Sequence, residues 1–263
     1  MEIRILGAHN IESRGTRCVS LLIDDRLAVD AGALTSGLDF AAQRRLEAVL
    51  LTHQHYDHVR DIPALGMNLM LMGEGVDVYA PEVVYEALVG HVLNGRLYPN
   101  LFQRPPGKPA LRYHKVVPGE ELVIGGYRVL PVPVDHAVPT VGYQVTAADG
   151  GVLFYTSDTG PGLAGAWARV SPGLLIIECT APNRFAGFAR RAGHLTPELL
   201  KQELDAFREL KDYLPEVVLV HMNPLEEVET WGEIAAVAAG LGVSIRLGEE
   251  GMRLRVPESG EVD

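Results

Sequence analysis

Cysteine is scarce in this chain: 2 of 263 residues, Cys18 and Cys179. Two thiols so far apart make no disulfide framework, which argues against a small stapled secreted scaffold and fits a reduced, cytoplasmic setting. Long apolar runs are missing as well. The longest stretch free of Asp, Glu, Lys and Arg is 13 residues, His136 to Ala148, and it contains His and Pro. A membrane-spanning helix needs about 20 apolar residues, so no span is expected. The first residues, Met1-Glu2-Ile3-Arg4-Ile5-Leu6, have neither the basic start nor the apolar region of a secretory signal. Basic residues are also few: 23 Lys plus Arg against 34 Asp plus Glu, a formal charge of −11. Proteins that grip long nucleic acid through its phosphates normally carry a basic face, so a small substrate is the expectation and nucleic acid is not favoured. An anionic substrate stays open if the site itself concentrates positive charge.

What is present is a chain that is 47% hydrophobic and 22% charged, long enough to bury a large core without staples. Short β-rich runs recur at Ile3–Leu6, Val19–Ile23, Leu27–Val29, Glu47–Thr52 and Val76–Ala80. A second series follows at Leu122–Ile124, Tyr127–Val134, Val141–Val145, Val152–Thr156, Leu174–Glu178 and Val217–Val220. Between them, helices are expected from Asp61 (as cap) through Met72, from Pro81 to about Leu93, from Thr196-Pro197-Glu198 onward, and over Thr230–Leu241. Asn94–Pro109, with four prolines, reads as a loop, and Glu250-Gly251 as the turn of a closing hairpin. No linker or low-complexity run interrupts the pattern, which predicts one α/β domain over residues 1–263.

The chemistry concentrates in Thr52-His53-Gln54-His55-Tyr56-Asp57-His58, which packs three imidazoles and a carboxylate into six residues directly after an apolar strand. Imidazole and carboxylate together suit zinc, iron or manganese. If the strand continues, His53 and His55 share a face and can reach one ion, while Asp57 and His58 turn toward a second position. Three more such residues each end an apolar strand: His136, Asp158 and His221. Singly, each reads as a cap or turn residue; with the cluster they supply enough ligands for two ions.

The His-x-His-x-Asp-His segment, with His136, Asp158 and His221 following, resembles the metallo-β-lactamase superfamily over nearly the whole chain. The resemblance implies a four-layer αββα sandwich with its site at one edge of the sheets. It implies His53, His55 and His136 on a first metal, Asp57, His58 and His221 on a second, and Asp158 between them. Gly193-His194-Leu195-Thr196, Ser157-Asp158-Thr159-Gly160 and Glu178-Cys179-Thr180 resemble the phosphodiesterase and ribonuclease Z-like branch. There a His at the position of His194 contacts the scissile phosphate or protonates the leaving oxygen, supported by an acid at the position of Glu178. The expectation is hydrolysis of a small phosphodiester, such as a cyclic nucleotide, by a hydroxide shared between two divalent ions, zinc first and manganese or iron next. Asp57, His194 and Glu178 are the expected catalytic residues. A homodimer is common in the superfamily.

Two departures weaken a tRNA-processing role: Tyr56 stands where that signature has Gly, and no long Gly/Pro-rich arm is evident. Ribonuclease Z-like processing of tRNA 3′ ends is the alternative, and a glyoxalase II-type thioesterase or lactonase a further one. His9 reads as a loop residue before a site-lining one, and Tyr56 as a pocket wall. His91 and His114 have no motif partners. Met67, Met70 and Met72 read as core and pocket wall, and Trp167 and Trp231 as packing.

Overall fold

A computed structural model describes residues 1–256. Strands that alternate their apolar side chains between two buried faces must be covered on both sides, and that requirement sets the architecture. The first sheet holds β1 (Glu2–Gly7), β2 (Ser20–Ile23), β3 (Leu27–Val29), β4 (Ala48–Leu50), β5 (Val76–Ala80), β6 (Leu111–Lys115) and β14 (Arg253–Arg255), in the order β14-β1-β2-β3-β4-β5-β6. The second holds β7 (Leu122–Ile124), β8 (Tyr127–Val134), β9 (Thr140–Thr146), β10 (Val152–Tyr155), β11 (Leu174–Glu178), β12 (Glu216–Val220) and β13 (Ile245–Leu247), in the order β13-β12-β11-β10-β9-β8-β7. Each is antiparallel in one half and parallel in the other. β3 to β6 pair parallel in the first sheet, and β10 to β13 in the second.

The period-2 alternation sorts neighbours into different layers. Leu21 and Ile23 join Leu153, Leu174 and Ile176 in a core between the two sheets. Leu22, one residue along, faces outward and packs with Leu34, Ile62, Leu65 and Leu69 of the helices on that side. Leu175 and Ile177 likewise face Leu200, Leu204 and Phe207 of the helix Pro197–Lys211, and Ile234 of the helix Glu227–Leu241. The result is helix, sheet, sheet, helix: the four-layer αββα sandwich. No helix among the described residues is long and apolar enough to cross a membrane.

Several local expectations are corrected. Glu250-Gly251 does not close a hairpin, because β13 pairs with β12 and β14 with β1, so this turn carries the chain from one sheet to the other. Leu111–Lys115 is a strand hidden in the sequence by its polar composition; it lies at the edge of the first sheet. Asp61 starts its helix without capping it. Its carboxylate instead accepts a hydrogen bond from the Thr35 backbone N–H at 2.7 Å, pinning the neighbouring helical turn. The helix after Pro81 is regular only over Glu82–Ala87 and widens into a π-type turn over Leu88–Val92.

The helix Pro197–Lys211 is held on its sheet by Phe207, which is fully buried and meets the Trp167 ring edge-on at 5.2 Å between centroids. Replacing Phe207 by Ala should cost about 3–5 kcal/mol, as large-to-small changes in close-packed cores do. Leu210 on the same helix is 52% exposed, and its replacement by Ala should stay within about 0.5 kcal/mol. Equilibrium urea unfolding of both variants checks the contrast, and equal losses would refute the packing assignment.

Candidate metal centre

The ends of the parallel strands and of β8 converge on one edge of the sandwich. Thr52 and His53 follow β4, Asp30 follows β3, Asp158 follows β10, Glu178 ends β11, His221 follows β12 and His136 follows β8. This is where sites collect in sheets of this kind. Asp30, Ser157 and His221 take left-handed backbone conformations, with φ of 58°, 60° and 62°. Such conformations cost about 1–3 kcal/mol each for residues with a Cβ, and they recur where function fixes the backbone.

The structure brings all seven expected metal-binding residues together in two groups. Ligand atoms of His53, His55, His136 and Asp158 lie within 4.8 Å of one another, as do those of Asp57, His58, Asp158 and His221. Asp158 belongs to both. Its Oδ2 is 3.7 Å from His53 Nε2, 3.8 Å from His136 Nε2 and 3.3 Å from His221 Nε2, and its Oδ1 is 3.2 Å from His58 Nε2. Asp57 Oδ2 lies 3.3 Å from His221 Nε2 and 3.5 Å from His58 Nε2. These groupings coincide with the two ligand sets that the sequence resemblance implies.

The hydrogen bonds on the far side of each ring show why the nitrogens point inward. His58 Nδ1 donates to Asp30 Oδ2 at 2.7 Å, and His136 Nδ1 to the Gly193 carbonyl at 2.8 Å. Neither acceptor can donate, so in the neutral rings both protons sit on Nδ1 and each Nε2 keeps a lone pair for a cation. The Thr52 hydroxyl gives its proton to the Asp30 carboxylate and accepts from His53 Nδ1 at 3.0 Å. The Thr180 hydroxyl gives its proton to Glu178 Oε2 at 2.7 Å and accepts from His221 Nδ1 at 2.9 Å. Anchored Nδ1–H groups are the usual support of metal-binding imidazoles. His53 Nε2, His58 Nε2 and Asp158 Oδ1 are buried with no hydrogen-bond partner. A donor set of this chemistry, with its buried lone pairs unspent, fits a divalent cation.

The electrostatics agree with that fit. Burial lowers the pKa of His53 well below the ordinary value, and repulsion from His58 adds to it. Burial likewise dominates the lowered pKa values of His55 and His136. Burial also works against the charged form of Asp158, but His221 and His58 outweigh it and hold this carboxyl well below the usual range. At His58 the penalty of burial is overcome by Asp158 and Asp30, so its pKa lies well above the ordinary one. The negative field at that Nε2 thus draws a cation, a proton or a metal.

His194 and Glu178 form a third group with His221. Glu178 is fully buried and takes four hydrogen bonds: from Thr159 N–H and His194 Nδ1 on Oε1, and from the Thr180 hydroxyl and Leu195 N–H on Oε2. The His194 ring is 5.0 Å from His136 and 5.3 Å from His221, centroid to centroid. Burial lowers its pKa, but the Glu178 carboxylate 2.7 Å away outweighs that and pushes it up to about 9.

Asp30 and the hydroxyls of Thr52 and Thr180 escaped the sequence reading. The signal that could have found Asp30 and Thr52 is the one used for His221: a polar residue closing a short apolar strand. His9 belongs to none of the groups. Its ring is held between Glu250 at 2.8 Å and Glu227 at 3.2 Å, and its backbone bridges Cys18 and Met222. His114 pairs with Asp77 and stacks on Tyr79.

A family model, the beta-lactamase superfamily domain, matches residues 26–222, a span that holds every residue of both groups. The chain belongs to the beta-lactamase superfamily. Ribonuclease Z of Methanopyrus kandleri is 31% identical over 136 residues, which cover 51% of this superfamily member and 42% of that relative. The chain spans less than half the length of the first curated relatives it matches. Among solved structures, yeast PDE1 superposes with a TM-score of 0.83 at 17% identity, covering 97% of this chain and 99% of that one. The short form of human tRNase Z gives 0.72 at 17% identity, covering 98% and 100%. At such identities the likeness shows the metallo-β-lactamase fold alone.

Two predictions follow from this geometry. Asp30→Asn removes the carboxylate that orients His58, and should weaken metal affinity about 10- to 100-fold, read by competition with a chromogenic chelator; unchanged affinity would refute the role of Asp30. The second concerns His9, whose pKa burial lowers but Glu250 and Glu227 raise by more, leaving it above the ordinary 6.5. The stability it contributes is complete below pH 6.5 and fades as pH rises through the raised pKa. Between pH 6 and 9, the thermal midpoint of the parent chain should therefore fall more than that of His9→Gln, and parallel curves would contradict this.

Proposed function

We propose that the chain is a metal-dependent hydrolase holding two divalent ions, zinc first and manganese or iron next. His53, His55 and His136 would bind one ion, Asp57, His58 and His221 the other, with Asp158 shared. Its substrate would be a small phosphodiester such as a cyclic nucleotide. Bound divalent cations supply positive charge for the phosphoryl oxygens and acidify a water to serve as nucleophile. The observation that carries the phosphodiester reading is the Glu178–His194 pair set against His136 and His221. The group that leaves a phosphodiester when its P–O bond breaks is an alkoxide, which is costly to expel without a proton. His194, with Nδ1 tied to Glu178 and a pKa raised to about 9, holds a proton at neutral pH and can deliver it from Nε2. Glu178, fixed by four donors, orients the ring and stabilises its charge. Asp57, 28% exposed at its side chain, stands on the solvent side of the second group, with His58 fully buried behind it.

A second reading, ribonuclease Z-like cleavage of tRNA precursors, draws support from the curated relatives of that name. Many basic side chains are already matched to acids, as in Arg26–Glu47, Arg112–Asp77, Arg128–Glu121 and Arg246–Glu216. That pairing, with the −11 charge, speaks for a compact substrate. A thioesterase, whose thiolate leaves readily without a proton, would have less use for a proton donor at His194. The buried, free Cys18 and Cys179 suit a reducing cytoplasm.

The test sets a chromogenic phosphodiester, a thioester, a lactone and a tRNA precursor against the metal-loaded chain. Chelation should abolish phosphodiester hydrolysis and metal should restore it. His194→Ala should slow a diester with an alkoxide leaving group about 10²- to 10⁴-fold, and a p-nitrophenyl ester much less. Equal losses on both would remove His194 as the proton donor, and turnover of only the thioester or lactone would sink the phosphodiesterase reading.

A further inference from the structure

The loop that carries the first metal-binding residues has a second side. His53, His55 and Asp57 supply atoms to the metal groups, while Gln54 and Tyr56, which alternate with them, line a separate cavity of about 110 Å³. Its other wall comes from the segment Glu82–Val92. Val59, Val84 and Leu88 are buried and make an apolar floor, while Tyr56, 69% exposed, and the exposed His91 bring two rings to its mouth. Two features mark it as more than a packing defect. Gln54 Oε1 is buried and has no hydrogen-bond partner, an unmet acceptor that a ligand N–H would satisfy. The helix facing it widens into the π-type turn Leu88–Val92 beside the cavity, a distortion that recurs at functional sites. The volume exceeds what a single water needs and suits one small ring system.

We propose that this cavity is the specificity pocket for the organic group of the substrate, and that it takes a nucleobase. The base would stack at the mouth against Tyr56 and His91, rest on Val59, Val84 and Leu88, and donate an N–H to Gln54 Oε1. An aliphatic group would use the floor but leave the Gln54 acceptor unmet, whereas a base uses both. Every base offers a flat face to an aromatic side chain, and this pocket pairs such a platform with one acceptor that selects for a ring N–H. The assignment rests on the phosphodiesterase reading and adds to it the residues that choose the substrate.

The experiment compares two esters with one leaving group on the full, metal-loaded chain: methyl p-nitrophenyl phosphate and thymidine 5′-(p-nitrophenyl phosphate). The nucleotide ester should be preferred at least tenfold in kcat/KM, mostly through KM. Ala87→Trp, which fills the cavity from the opposite wall, should erase the preference, and Gln54→Leu should reduce it severalfold. Equal kcat/KM for the two esters, or a preference that survives Ala87→Trp, would overturn the pocket. If neither ester is cleaved, the phosphodiesterase reading fails, and the pocket is then judged by binding alone. Calorimetry should give thymidine at least fivefold tighter binding than 3-methylthymidine, which lacks the N–H, and no such difference in Ala87→Trp. Equal binding of the two nucleosides, or none, would refute it.

Discussion

The site depends on one constraint: four imidazole Nε2 lone pairs must be held toward a single buried carboxylate, Asp158. Left free, such rings would turn outward to water, since gathering lone pairs away from solvent is unfavourable. Each is prevented from turning by a bond on its far side, to Asp30, to the Gly193 carbonyl, or to a threonine whose own proton is committed to a carboxylate. The threonines matter through direction. A hydroxyl has one proton, and once Asp30 or Glu178 has taken it, the oxygen can only accept from the histidine. Two buried carboxylates therefore set the proton positions of three metal-facing rings at one remove or none.

The four-layer fold makes this arrangement affordable. Residues from six strand ends meet at one edge only because the two sheets are stacked through a shared core, Ile5 and Leu21 against Leu153 and Ile176. The left-handed Asp30, Ser157 and His221 are conformations that a loosely held loop would abandon. Here each lies within two residues of a strand whose last three residues are buried, so the chain cannot relax without pulling that strand from its sheet. Backbone strain at the site is balanced by packing well away from it, between the sheets and beneath the helices.

The legibility of all this in the sequence tracks how local each signal is. His53, His55, Asp57 and His58 fall within six residues after an apolar strand, so their signal is entirely local. His136, Asp158 and His221 were visible as polar ends of apolar strands once a cluster existed to gather them. Asp30 has the same position after Leu27-Ala28-Val29, yet its role lies in a bond to a ring 28 residues away, and nothing local announces it. The hairpin misreading at Glu250-Gly251 has the same origin. A turn signal fixes where the chain reverses but not which sheet it enters, and that choice is made by Leu254 packing between the sheets. Leu111–Lys115 was invisible because an edge strand with one buried end carries no alternation to read.

The net charge of −11 leaves an anionic substrate open only if the site itself concentrates positive charge, and the geometry gathers a donor set that fits divalent cations. The acids nearest the site are committed: Glu178 to four donors, Asp30 to Thr52, His58 and Tyr155, and Asp158 to the facing imidazoles. They act as internal counter-charges that hold imidazoles in place and attract cations, and they are not available to repel a ligand. Two divalent ions held as proposed would outweigh Asp57 and Asp158, and the surface a phosphate met would then be positive at short range. The remaining surplus of acid lies over the outer surface, where salt screens it within about 10 Å. A small diester would cross that distance and feel the centre, whereas a long polyanion would lie along the acidic exterior as well. On the proposed reading, the same charge distribution would admit a phosphate and discriminate by its length.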